Sequence, residues 1–468
     1  MPVFQACDNL TFAMCDPFGT VQARLSATRL STALTNLRRS KWLPGANMRM
    51  NSQTQLLGVT LVLAVLLTAW NAPARAQAGA EFGYQDLGST SGGFVGPVAS
   101  SATGVAVGQA FTAKGGSGSL VYNGASIRDI GGFGASGSSG NGAFHVNGAG
   151  QVAGQTSASG GSAGSAANRA FFYENGRTAD IGTLGGTGSY VAAMNASGQV
   201  AGYSDLRGNT TTNAFLYSGN TLTNLGTLGG SYSAAAAINS SGQVVGNAFI
   251  ANDAASRAFL YNAGTMLDLG TLGGTNSFAS GINDLGQVIG DSDTAGNSAS
   301  RAFLSSGGRM IDLGTLGGKS STAVAINNAG QVIGNANATG NTATRAFLYS
   351  GGRMLDLGTL GGTNSYAVGV NSFGQVIGVS DLAGDKARHS FLYADGKMID
   401  LDSPLAGLKS FVAAGINDAM QIIGTALTAT GVSRGLIVTP VPEGDGFWLA
   451  GVGLLMFGAW SHRRRRLG

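Results

Sequence analysis

Cysteine is almost missing from this chain: two residues in 468, Cys7 and Cys15, both confined to an N-terminal stretch unlike the rest. Redox, thiolate and disulfide chemistry are thereby excluded from the main body, which must be held by packing alone. Histidine is as scarce. His145 and His389 are the only two between residues 79 and 440, too far apart in sequence and too unsupported by other motifs to suggest a nucleophile triad or a histidine-rich metal site. Charge is also thin, at 11% of residues, and its alkaline balance belongs to the ends: residues 79–440 carry 16 Lys and Arg against 19 Asp and Glu, a formal −3. Nucleic-acid binding thus loses its electrostatic support. None of the many glycine pairs carries the lysine and hydroxyl that a phosphate loop needs, so they read as turns.

What the chain has in abundance is glycine, 78 residues, and repetition. The unit RAFLYNAGTMLDLGTLGGTNSFASGINDLGQVIG, residues 257–290, recurs on both sides. An aspartate or its asparagine substitute stands at Asp180, Asn224, Asp268, Asp312, Asp356 and Asp400, and the glutamine of GQV at Gln199, Gln243, Gln287, Gln331 and Gln375, every step being 44 residues. Spacing without insertions marks one structural module stacked on the next. Worn copies at Asp86 and Asp129 bring the number of modules to eight.

Each unit reads as four short strands. RAFLY and RMLDLG form a hairpin around a glycine-containing turn; after TLGG comes a third strand such as SFASGI, and a turn such as NDLG leads into QVIG. Adjacent apolar residues, Phe259 and Leu260, predict a strand dry on both faces, and an Ala- and Gly-rich third strand suits a crowded axis. The array opens on FGYQDLG and closes on RGLIV, which together complete one unit. We therefore expect an all-β fold, an eight-bladed β-propeller closed by pairing its first and last strands, with a β-solenoid as the alternative.

The motif RAFLY-x7-LGTLGG-x11-GQVIG resembles the HAF repeat family of bacterial extracellular repeat proteins, over residues 81–438; His389-Ser390-Phe391 comes nearest to the family's His-Ala-Phe. The resemblance implies a secreted β-repeat protein and lends no catalytic residues. Both ends carry targeting patterns. Residues 48–78 read as a signal peptide: Arg49, an apolar run from Leu56 to Trp70 too short for an ordinary span, and cleavage sites at Ala76 and Ala78. Met48 or Met50 is then expected to be the true start, with residues 1–47 an upstream extension of the reading frame. Residues 441–468 resemble a PEP-CTERM sorting tail, with Val441, Pro442 and Glu443 as the motif, an apolar run, and Arg463, Arg464, Arg465 and Arg466 as the basic stop. Gly444 departs from the motif's usual second proline. The resemblance implies signal peptidase and an exosortase-type enzyme as processing partners, release to the cell surface or matrix after sorting, and an inner-membrane anchor without it.

The repeated charges are expected to be structural. Register places Asp268 across from Phe259 and diagonal to Arg257, predicting an ion pair repeated blade by blade at Arg257, Arg301 and Arg345 with Asp268, Asp312 and Asp356, and at Asp180. The run Asp291-Ser292-Asp293-Thr294-Ala295-Gly296-Asn297 resembles the start of a calcium loop but lacks a closing acid, so it reads as an ordinary polar turn, with calcium at Asp291 and Asp293 as the minor alternative and no other cofactor expected. Asp381 and Asp385 read the same way. The functional expectation is a non-enzymatic scaffold presenting the variable loops after QVIG to a polysaccharide or a surface protein. Its alternative is a lyase or glycosidase on the same scaffold, which would need unmatched acids in the irregular copies; Glu174 is one such acid.

Overall fold

The computed structural model describes residues 82–441, apart from 88–93, 102–103, 112–116, 124–125, 131–141, 159–166, 404 and 406. Its strands form consecutive antiparallel sheets of four, and two of these sheets are linked through a single parallel bridge, Thr212↔Tyr232. We number the blades 1 to 8 from residue 94. In blade 5 the strands Gly273–Ile282, Val288–Thr294, Ser300–Ser306 and Arg309–Asp312 pair in that order, inner to outer. Blades 3, 4, 6 and 7 repeat this pattern over residues 185–226, 229–268, 317–356 and 361–400. The Ala- and Gly-rich strand is innermost, and these strands touch one another from blade to blade around the whole ring. Small side chains allow that approach, as the sequence predicted.

Blade 8 is assembled from both ends of the array. Leu408–Ile416, Ile422–Thr428 and Ser433–Pro440 supply its first three strands and Phe82–Asp86 the outer one, with Tyr84 opposite Val438 and Asp86 opposite Leu436. Its turn then donates from Asn417 Nδ2 to Ser101 O of blade 1 at 3.4 Å. An open stack would leave its two ends apart, so the solenoid alternative is set aside: the fold is an eight-bladed β-propeller.

The core lies between blades. Phe171, Phe215, Phe259, Phe303, Phe347 and Phe391, the aromatic of each RAFLY copy, are fully buried. Phe259 packs with Val244 of its own blade and with Ala201, Ala214 and Leu225 of blade 3, whereas Leu260 packs toward Ala279 and Val288 of blade 5. Neighbouring residues of one strand thus serve opposite neighbours, each burial contributing about 1.5–3 kcal/mol. The inner strand bulges where Ala279 and Gly281 face consecutive residues of the second strand, Gly290 and Ile289. A Cβ on Gly290 would lie 1.9 Å from Phe278 O, so the glycine of GQVIG is the residue that the bulge admits.

Among the described residues no helix is long and apolar enough to cross a membrane. Ala76, Ala78, Pro442, Glu443, Arg463, Arg464, Arg465 and Arg466, and the short apolar helices expected at the two ends, lie outside the described residues. Val441 is exposed just beyond the last strand.

Candidate functional site

Strand direction sorts the connections into two faces. Inner strands end at the Asn-x-x-Gly-Gln turns, so the loops between second and third strands lie on the opposite face, together with the TLGG linkers. The turn face is built for cohesion. Asn283 accepts from Leu285 N (3.1 Å) and Gln287 N (2.9 Å) through Oδ1, while its Nδ2 donates to Gln287 Oε1 (2.7 Å) and to Asn327 O of the next blade (3.1 Å). The same link joins Asn195 to Asn239, Asn239 to Asn283, Asn327 to Asn371 and Asn371 to Asn417. All are buried and their polar capacity is consumed, as buried amides require.

On the loop face the sequence varies but one position does not. Asn209, Asp253, Asn297, Asn341 and Asp385 all adopt φ between 53° and 57°, and each accepts the amide of an inner-strand residue 22 positions back, at 2.7–2.8 Å. Asx residues tolerate that left-handed conformation best among side-chain-bearing residues. These loops therefore hold their backbone by a shared device and differ only in the residues around it.

The acids occupy separate roles. Arg169–Asp180 (2.6 Å), Arg301–Asp312 (3.3 Å), Arg345–Asp356 (4.0 Å) and Arg434–Asp86 (2.6 Å) form ion pairs across the two outermost strands. Arg257 and Asp268 are the exception: Phe259 does face Asp268, yet no ion pair joins the two, although Asp268 accepts from Gly270 N at 2.8 Å just as Asp180, Asp312 and Asp356 accept from the glycine two residues on. Half-exposed pairs of this kind contribute about 0–1 kcal/mol, too little to hold every rotamer. The calcium-loop reading is corrected as to place, because Asp291 and Asp293 lie on the strand Val288–Thr294 and not in a loop. Asp291 Oδ1 accepts from Ala323 N of blade 6 (2.9 Å), capping the amide at the bulge, and burial pushes its carboxyl up to about 6. Asp293 accepts from Asn276 N and Nδ2 of its own blade. Asp381 likewise holds Asn364 and Arg388, and Asp385 holds Thr363.

One group breaks the repeat. His389 Nδ1 lies 2.9 Å from Asp400 Oδ2, and Asp402, at the position of Gly358 and Gly314 in earlier copies, stands close enough for all three to converge on one cation. Both Asp402 oxygens accept backbone amides, from Ser390 and Phe411, at 3.0 Å. Burial pushes Asp402 up; for Asp400 burial acts the same way, but bonds from Ser403, His389 and the Asp402 amide together bring it down. The reason is legible in the regular copies. There Ser365 Oγ of the next inner strand accepts from Ala346 N and donates to Gly358 O. In this copy the alanine has become Ser390 and the serine Phe411, and Asp402 takes over the orphaned amides. The departure of Asp402 from a glycine column is the sequence signal that marks this group.

No protein-family model matches the chain, and no curated protein does. Solved structures do. They include the β-propeller domain of the Trilobed protease from Pyrococcus furiosus (10% identity, 66% of this chain and 98% of that one, TM-score 0.42), dipeptidyl peptidase 4 of Porphyromonas gingivalis (9%, 69% and 54%, TM-score 0.43) and the Trypanosoma rangeli sialidase (10%, 76% and 59%, TM-score 0.29). This corrects one expectation. The scarcity of reaction-specific residues predicted that the chain is not an enzyme, but the structures it resembles include two peptidases and a sialidase, and that exclusion is withdrawn.

Proposed function

We propose that this propeller is an exported cell-surface or matrix protein of the HAF-repeat kind that binds a polysaccharide or a protein partner through its loop face. One observation carries the reading: the residues common to the blades are consumed in holding the ring together, while the loops between second and third strands keep a shared backbone device and differ in the residues around it. Delivery follows from the ends, with signal peptidase acting at Ala76 or Ala78 and an exosortase-type enzyme at Val441-Pro442-Glu443. Intact mass and N-terminal sequencing of protein recovered from membrane and from medium test it. A released form beginning near residue 77 or 79 and ending near residue 442 is expected; a membrane-held form still carrying Arg463 to Arg466 would sink the release step.

A second reading, cleavage of extracellular carbohydrate on the same scaffold, has His389, Asp400 and Asp402 in its favour, two carboxyls whose environments push them in opposite directions beside an imidazole. Asp402→Asn separates the two readings. Loss of reducing-end release from a polysaccharide with binding retained supports catalysis; unchanged release in the folded variant removes these residues from it.

A further inference from the structure

The seam between blades 3 and 4 differs from those between blades 4 and 5 and between blades 6 and 7. In blades 5 and 7 an asparagine of the inner strand clasps the seam: Asn276 and Asn364 bond Asp293 and Asp381 of their own second strand (3.0 and 2.9 Å) and accept the amide that opens the preceding blade's third strand, Ser256 N and Thr344 N (3.1 and 3.0 Å). Blade 4 carries Tyr232 and Phe249 at these two positions, their rings 5.2 Å apart. The seam is held instead by backbone, through the Thr212↔Tyr232 bridge, which relieves both side chains of the clasping role.

A second structural cap is given up beside it. The second-strand position that offers Asp291 and Asn335 to the next blade's bulge, at Ala323 N and Ala367 N (both 2.9 Å), is Tyr203 in blade 3. It stacks on Tyr190 with centroids 4.7 Å apart and planes within 15°. Tyr190 holds the inner-strand position at which Phe278 is 46% exposed in blade 5. All four rings are half-buried. Asp205 follows Tyr203 by two residues on the same strand and pairs with Thr212, the residue bridged to Tyr232, so both ring pairs and the carboxylate flank one bridge; burial, then Tyr232, Tyr190 and Asp205, raise the Tyr203 phenol.

We infer that Tyr190, Tyr203, Tyr232 and Phe249 form a stacking subsite for a neutral pyranose ring of an extracellular polysaccharide. Aromatic faces at fixed tilt accept the C–H face of a sugar, and phenol hydroxyls and Asp205 supply the few polar partners that orient it. Asp205 beside the rings and the −3 body disfavour uronates, sulfated chains and phosphates. The inference rests on the polysaccharide reading above and narrows it to one seam and one charge class.

Affinity electrophoresis of the full chain through gels containing dextran, galactomannan or xyloglucan, with alginate as the anionic comparison, tests it. Tyr232→Asn combined with Phe249→Asp rebuilds the clasp of blades 5 and 7, so this variant folds while losing its rings; Tyr203→Ala is the second probe, and Phe278→Ala the control outside the seam. Expected is retardation by at least one neutral polymer, weakened tenfold or more in both probes, with an unchanged thermal midpoint in the clasp variant and unchanged retardation in the control. Retardation that persists in both probes overturns the subsite while leaving polysaccharide binding intact. Retardation by alginate alone overturns the charge class, and none by any polymer overturns the parent reading as well.

Discussion

At the scale of single residues, two half-buried titrating groups pull stability in opposite directions. Asp291 titrates at about 6 against an ordinary 3.8, so the folded chain binds more protons than the unfolded one between those values and stability falls as pH rises through them. His145 is driven by burial from 6.5 to about 4. There the unfolded chain binds the extra proton, and stability falls as pH drops through that window. The slopes oppose each other between about pH 4 and 6. Asn335 makes the Asp291 bond without charge one blade later, so Asp291→Asn should fold, gain about 1–3 kcal/mol at neutral pH, and show stability that now declines steadily from pH 6.5 to 4. Urea unfolding of both proteins across that range checks it; parallel pH profiles would mean Asp291 titrates normally. Ser390→Ala belongs to the same scale. It removes the hydroxyl that accepts from Ala413 N and donates to Phe411 O, both at 2.9 Å, and should cost about 1–3 kcal/mol in the same measurement.

At the scale of the strand and turn, the two positions the repeat guards most closely have different reasons. Gly290→Ala brings a Cβ against the Phe278 carbonyl and should destabilise by about 3 kcal/mol or more, because backbone on both sides must move. Asn283→Ala deletes a side chain that satisfies its own turn and the next blade, for about 2–4 kcal/mol. If denaturant midpoints for either variant match the parent, the bulge or the amide ring does not hold the blades as described. Four-strand modules and their Ala- and Gly-rich inner member could be read from periodicity. The asparagine network was equally visible as a column, yet its purpose was not, since its key acceptor lies 44 residues away.

At the scale of the whole molecule, closure depends on one short strand from the other end of the chain. Deleting residues 82–86 should lower the thermal midpoint and cause concentration-dependent association, because the third strand of blade 8 becomes an unpaired edge. Asp86→Asn, which loses a half-exposed ion pair with Arg434, should change stability by less than about 1 kcal/mol. A deletion variant that stays monomeric with an unchanged midpoint in calorimetry and light scattering would show that the ring does not need that strand. Taken alone, the sequence determined the number of blades, the order and phase of their strands, the dry faces of RAFLY and the pairing of the two ends, because these repeat along the chain and a 44-residue period exposes them. Tertiary structure alone decided that His389, Asp400 and Asp402 converge, that Arg257 stands apart from Asp268, that Asp291 caps a neighbouring bulge, and that four aromatic rings gather at the seam of blades 3 and 4. Those outcomes depend on which side chains meet across a seam between blades, and periodicity sets distances along the chain without setting what faces what across it.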